Sequence, residues 1–352
     1  MLFPYRYVSH QMEKMQEFID FIFYEVWCKA PGNGTFSLDL FDNNPELKDV
    51  MANLFYDHTE GGDFFYGHIE DIHGLFATLT QAQIDQFKQW YQANNDIEKA
   101  CANDPELVLA RYDEIEPLHR ELGKQLAAFF KKLYWDKLLD LAALRRKIGD
   151  IDDHYRNFMQ TNTTGRCPFC GIGDVKGVYH TKREAYDHYL PKGVYPFNSI
   201  NFRNLAPACH ECNSAYKLGK DPVNTATGRR KAFYPYADLG HNIDIRIDLK
   251  KADVDHLTPD DIELECGPAA LNEEIETWKE VYGIEERYKA KCCGENDGKY
   301  WLVAVFDEWQ EGGRSPTEYL NALARQTAKS PFADSNFLRK AFLEGCSRVG
   351  LF

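Results

Sequence analysis

The sequence predicts an α+β protein that is mostly helical, with a small metal-stapled module set between an N-terminal helical domain and a C-terminal α/β region. Three observations carry this expectation. Apolar residues recur at three- and four-residue steps from Ser9 to about Met159. The segment from Asn162 to Tyr236 loses that period and gains Gly, Pro, Asn and paired cysteines. Beyond it, isoleucines alternate with polar residues before helical spacing returns. A period near 3.6 marks one face of a helix and a period of 2 marks a half-buried strand. The divisions fall at residues 1–160, 161–235 and 236–352.

In the first division Met12, Met15, Ile19, Ile22 and Val26 form one apolar stripe, and Leu122, Leu126, Phe129, Leu133, Leu138 and Leu141 form another. Pro31-Gly-Asn-Gly34 reads as a turn, and Glu60-Gly-Gly-Asp63 as a second break between helices. The aromatic-rich stretch from Phe18 to Trp27 reads as core. In the third division Ile243, Ile245 and Ile247 alternate as a strand should, with Ile262 and Leu264 as its partner. Helices are expected from about Ala269 to Lys289, Tyr300 to Gln310, Pro316 to Thr327 and Ser335 to Ser347.

A chain of 352 residues with 44% hydrophobic and 14% aromatic content can bury sizeable cores, which excludes disorder as its class. The most apolar stretch, Phe18 to Trp27, is broken by Asp20 and Glu25, so no membrane span is expected. The N-terminus shows no basic region followed by an apolar block, so the expectation is a cytoplasmic protein. Ten cysteines in a reducing compartment more often bind metal than pair as disulfides. The formal charge of −14 is unevenly spread. Residues 161–235 hold eleven Lys and Arg against five Asp and Glu, a surplus of six, which leaves −20 on the rest. A basic module sits in an acidic frame.

Cys167-Pro-Phe-Cys170 and Cys209-His-Glu-Cys212 are two Cys-x-x-Cys knuckles separated by 38 residues. Four thiolates so paired make a closed tetrahedral zinc site with no open position for water. His210 lies inside the second knuckle and is expected to be exposed, since four sulfurs already fill the metal. A module poor in large aliphatics is expected to draw folding free energy from that zinc.

Between and just after the knuckles stand Asp187-His188, Asn204-Leu205 and Asn213, the last directly following Cys212. Through these residues the segment from about 165 to 222 resembles the HNH, or ββα-metal, endonuclease family. The resemblance implies a hairpin ending in the Asp-His pair, a loop, and a short helix delivering the final residue. It implies metal-dependent hydrolysis of phosphodiester bonds, with DNA as the expected substrate. Many relatives have histidine where this chain has Asn213, and both residue types can ligate a metal.

The implied roles match what the chemistry needs. A neutral imidazole at His188 can take a proton from water aimed at phosphorus, and the rate should then rise with pH through its titration. A hard divalent cation, Mg²⁺ or Mn²⁺, would neutralise charge on the phosphoryl oxygens, with Asp187 and Asn213 as oxygen donors. Neighbours on a regular strand face opposite sides, so Asp187 and His188 act together only if the strand bends or ends there; Pro191 favours an ending. Asn204 is expected to brace the loop and orient the base. Lys217, Lys192 and Arg203 are the expected nucleic-acid contacts.

Bland readings stand beside these. Asn213 alone could be a helix cap. The His and acidic residues at Asp57, His58, Glu60, Asp63, His68, Glu70, Asp71 and His73 show no ligand spacing. Asp152, Asp153 and His154 read as a capped or solvated helix end. Phe233-Tyr-Pro-Tyr236, Glu276-Thr-Trp278, Tyr282-Gly-Ile284 and Arg287-Tyr288 look like the flanks of HNH proteins of bacterial anti-phage defence, such as the nuclease subunit of Septu-type pairs. That resemblance implies a partner resembling an ABC-type ATPase. The alternatives are a catalytically silent zinc module that binds nucleic acid or protein, and an RNA-cleaving, toxin-like nuclease.

Overall fold

In a computed structural model, which describes residues 1–240 and 242–352, the N-terminal stripes become buried helix faces. Helix Lys14–Phe21 runs into a wider-turned continuation, Ile22–Trp27, and Phe18, Ile19, Ile22, Phe23, Val26 and Trp27 are all buried. Helix Arg120–Leu133 inters Leu122, Leu126, Phe129, Phe130 and Leu133 and packs on helix Glu60–Phe76. No helix among the described residues is long and apolar enough to cross a membrane.

The expected break at Glu60–Asp63 is a correction. These residues are the first turn of helix Glu60–Phe76, and the chain breaks before them, at His58 (φ 43). Thr59 starts the helix by accepting the Gly62 N–H on its hydroxyl at 3.1 Å. The glycines serve close packing instead: a Cβ at Gly61 would stand 2.5 Å from the Lys137 carbonyl oxygen.

Three two-stranded antiparallel ribbons supply all the sheet among the described residues. β1 (Tyr186–His188) pairs with β2 (Leu205–Pro207), placing Asp187 opposite Ala206 and His188 opposite Leu205. β3 (Asn224–Thr225) and β4 (Gly228–Arg229) form a short hairpin. β5 (Asp244–Leu249) and β6 (Ile262–Gly267) pair with Ile247 opposite Leu264, as their alternation predicts. The expected Ala269–Lys289 helix is two, Asn272–Tyr282 and Ile284–Cys293. The split is at Gly283 (φ 59), where a Cβ would meet the Tyr216 ring at 2.3 Å. Helices Tyr300–Gln310, Pro316–Lys329 and Asn336–Arg348 follow, the last lying on β5.

Buried side chains from all three stretches of sequence join one continuous core. The middle stretch is poor in aliphatics but buries Tyr186, Tyr189, Tyr195, Phe197 and Phe202, so metal is not its sole source of cohesion. Phe197 reaches furthest, inserting among Phe23, Tyr91 and Phe130 at centroid distances of 5.2–5.6 Å. Its φ of 80 is costly for an aromatic residue, on the order of 1–3 kcal/mol, and that packing holds it. The first residues also join the module: Leu2 N–H donates to the Pro168 carbonyl, and Tyr5 OH to that of Pro207.

Candidate functional site

Cys167, Cys170, Cys209 and Cys212 are buried, and their sulfurs lie within 4.8 Å of one another. Cys170 and Cys209 are 3.9 Å apart. A zinc ion with Zn–S bonds of about 2.3 Å spaces its sulfurs about 3.8 Å apart, so the cluster fits the ion. The first knuckle turns through Gly171 (φ 70), and at Gly173 a Cβ would strike the Cys209 sulfur at 2.6 Å. Burial pushes the Cys167 thiol well above its ordinary value, while hydrogen bonds from the neighbouring cysteines hold Cys170 well below. Among the described residues, no other His, Cys, Asp and Glu group has metal-binding geometry, the Asp57–His73 stretch included.

The residues around this cluster come from the C-terminal flank. The Arg287 guanidinium donates to the Cys212 sulfur at 3.2 Å and stacks over Tyr216. Trp278 Nε1–H donates to the Phe169 carbonyl at 2.5 Å, and Tyr288 OH to that of Cys170 at 2.8 Å. These polar groups steady both turns of the first knuckle and place one positive charge against the thiolates. Sequence reasoning singled out Trp278, Arg287 and Tyr288 only as flanking motifs.

β1 carries the second half of the site. Strand pairing ends at His188, and the Tyr189 N–H already turns to the Asn204 carbonyl. The His188 ring is half-buried against the edge of Tyr134, at a centroid distance of 5.3 Å. Its Nε2 lies 2.9 Å from the Ser199 carbonyl oxygen, which can only accept, so Nε2 carries the proton and Nδ1 offers a lone pair. Burial holds the imidazole down to about 3, the Lys192 ammonium adding to the effect, so the ring is neutral at pH 7. Asn204 is fully buried between the two ends of the loop. Its Oδ1 accepts the Leu190 N–H at 2.7 Å, and its Nδ2 donates to the carbonyls of Leu190 and Asn198 at 3.0 and 3.3 Å. The Ser199 contact has no signal in sequence, because a backbone carbonyl is the same in every residue.

Asp187 is buried, 3% exposed. Its Oδ1 accepts from Lys217 Nζ at 2.9 Å, and the same ammonium donates to the His188 carbonyl at 2.8 Å. Lys217 is therefore not the exposed phosphate contact expected of it: its side chain is 0% exposed and is spent on tying helix Glu211–Lys217 to β1. One ammonium thus ties the Asp187 carboxylate and the His188 backbone together at the end of β1. Burial raises the Asp187 carboxyl despite Lys217, and its Oδ2 is buried with no partner. Asn213 is half-buried with no hydrogen bond to its side chain, four residues before Lys217, where the wide i→i+5 turn brings both to one face. Carboxylate and amide oxygens are both hard donors.

Lys192 is half-buried beside His188, 5.9 Å above the Tyr134 ring, and pairs with no carboxylate among the described residues. Arg203 is exposed and stacks on Tyr7 at 4.3 Å, facing a groove lined by Asp20, Asp96 and Glu98 that excludes His188; those charges disfavour phosphate there. His210 is exposed. His154, expected at a solvated helix end, is instead buried, with Nδ1 2.5 Å from Tyr186 OH, while Asp150 caps that helix. Tyr134, supplied by the helical region, is a site neighbour that sequence reasoning missed; nothing in its local pattern marks it.

Fold and site together define a mostly helical α+β protein with a four-cysteine cluster able to hold a structural metal such as zinc. The chain is similar to Protein ea31 of Escherichia phage lambda, at 30% identity over 129 residues, which is 36% of this chain and 38% of that protein. The chain thus spans well under half the length of this curated relative. No family model matches, and no solved structure does.

Proposed function

We propose that the chain is a metal-dependent endonuclease of the HNH class that hydrolyses phosphodiester bonds in DNA. The observation that carries this reading is the His188 ring, held neutral with Nε2–H on the Ser199 carbonyl and Nδ1 free. A ring so fixed accepts a proton from water without first losing one of its own. Lys192, unpaired beside it, supplies a positive charge for a phosphate oxygen. Asp187 Oδ2 and the Asn213 amide would hold Mg²⁺ or Mn²⁺, which when bound neutralises charge on the phosphoryl and leaving oxygens. The zinc cluster stands outside the chemistry: Cys209 and Cys212 fix the start of the helix that carries Asn213 and Lys217.

The acidic frame supports a further reading, that this nuclease works with a partner that brings DNA to it. An excess of 20 negative charges outside the module opposes unassisted encounter with a polyanion. The resemblance to defence nucleases makes an ABC-like ATPase the partner to seek first, in the cytoplasm of a bacterium. Matched DNA and RNA duplexes and single strands, incubated with the protein and Mg²⁺ or Mn²⁺, test the substrate. Cleavage of DNA is expected. Cleavage confined to RNA moves the assignment to a toxin-like nuclease, and binding without cleavage of either favours the silent zinc module.

A further inference from the structure

We infer that Asn94, in the helical region, is a positioning residue for His188, acting through the loop that carries the Ser199 carbonyl. The inference rests on the nuclease reading for its purpose, but its geometry stands apart from it. Asn94 is the penultimate residue of helix Gln81–Asn95 and is fully buried. Its Oδ1 accepts the Ala110 N–H at 2.9 Å, which fixes the amide's orientation and leaves Nδ2 to donate. Nδ2 donates to the carbonyls of Ala110 and Pro196 at 2.8 and 3.0 Å.

The last carbonyls of a helix have no partner within it. Here two loop asparagines supply them: Asn198 Nδ2 donates to the Asn94 carbonyl at 3.1 Å, and Asn201 Nδ2 to the Asn95 carbonyl at 3.2 Å. Ser199 lies between these two attachments, with Pro196 held just before them. Its carbonyl therefore has little freedom, and it is this carbonyl that selects the Nε2–H form of His188. The helical region thus does more than surround the module. It sets which nitrogen of the ring is free.

The test is the tautomer itself. Protein labelled with ¹⁵N-histidine is examined at pH 7.5 by long-range ¹H–¹⁵N correlation, with His188 assigned among the eleven histidines by its loss in His188→Gln. The wild type should show His188 protonated at Nε2. In Asn94→Ala and Asn198→Ala the His188 signals should move toward a tautomer average while zinc content and circular dichroism hold. Single-turnover cleavage should fall about 10²-fold, as for a misplaced reacting group. Asn198→Ala removes one hydrogen bond and an acceptor that is already orphaned, so it carries the test if Asn94→Ala does not fold. An unchanged His188 tautomer in the folded variants, or Nδ1–H in the wild type, overturns the inference. A wild type that cleaves nothing leaves the tautomer result readable, so the two failures are distinguishable.

Discussion

The cysteine cluster and the His188 site lie on the same short segment, but they are finished to different degrees. Around the cluster, hydrogen bonds converge: Arg287 reaches a sulfur, Trp278 and Tyr288 satisfy the knuckle's carbonyls, and the Tyr282 hydroxyl beside Phe169 is left over. Around His188 they run out. Tyr134 OH, Asp187 Oδ2, Asn198 Oδ1 and Ser199 Oγ are all buried without partners. Each such group costs roughly 1–3 kcal/mol, so four in one place ask for an explanation. A region built for stability satisfies most of its polar atoms within the chain. A region built to bind leaves some for what it binds.

The largest expected effect is on the finished side. Cys167→Ser or Cys212→Ser should lose the single zinc expected per chain by elemental analysis. Structural zinc contributes on the order of 10 kcal/mol to small metal-folded domains. The knuckles should melt while the helical signal mostly survives, because the module shares its core with the helices. A zinc-free wild type of unchanged thermal stability would erase the contrast between the regions.

Next is the ion pair that joins them. Lys217→Met leaves the Asp187 charge buried and uncompensated, which costs about 3–5 kcal/mol. Adding Asp187→Asn should recover much of it. A denaturant-melt cycle in which the two changes simply add would show that the pair is not coupled.

The acid limb of stability sharpens the contrast further. His188 is held below its unfolded value of about 6.5, so folding expels its proton. It contributes nothing to pH dependence above about 6.5, and it draws stability down as pH falls toward 3. The slope is at most about 1.4 kcal/mol per pH unit. His188→Gln should flatten melting temperature against pH below 6.5, and an unaltered slope would contradict the assigned burial. The same shift revises the pH profile read from sequence: between pH 6 and 8 the ring is already neutral, so a rate limited by proton uptake should be flat there.

The smallest effect expected concerns Arg287. Removing its donor to Cys212 by Arg287→Ala should weaken zinc retention by about 10- to 100-fold in a chelator competition, with the metal still bound at neutral pH. No change in competition would place the guanidinium outside the metal's surroundings.

What the sequence made legible follows the same division. The four cysteines announce themselves by spacing, and the β5–β6 pair by alternation of Ile243, Ile245 and Ile247. Helix stripes such as Leu122–Leu133 were equally plain. What stayed hidden depends on three-dimensional closeness. Gly61 looked like a turn because its value to helix packing lies in the Lys137 carbonyl, 76 residues on. Lys217 looked exposed because helical spacing gives its face and not what covers it. Phe197 carries no mark in its local sequence, yet its ring completes the core of the helical region. Ser199 acts through its own backbone carbonyl and Asn94 through an amide held on the backbone of distant residues, and sequence patterns are blind to both.

The central claim is that His188 is the base of a nuclease, and one measurement tests it most directly. Supercoiled plasmid is incubated with wild-type protein and with His188→Ala in Mg²⁺, with zinc content and folding shown equal for the two. The account predicts nicking by the wild type and a loss of about 10²- to 10⁴-fold in the variant, the usual cost of removing a positioned base. Equal cleavage by the two proteins would contradict it.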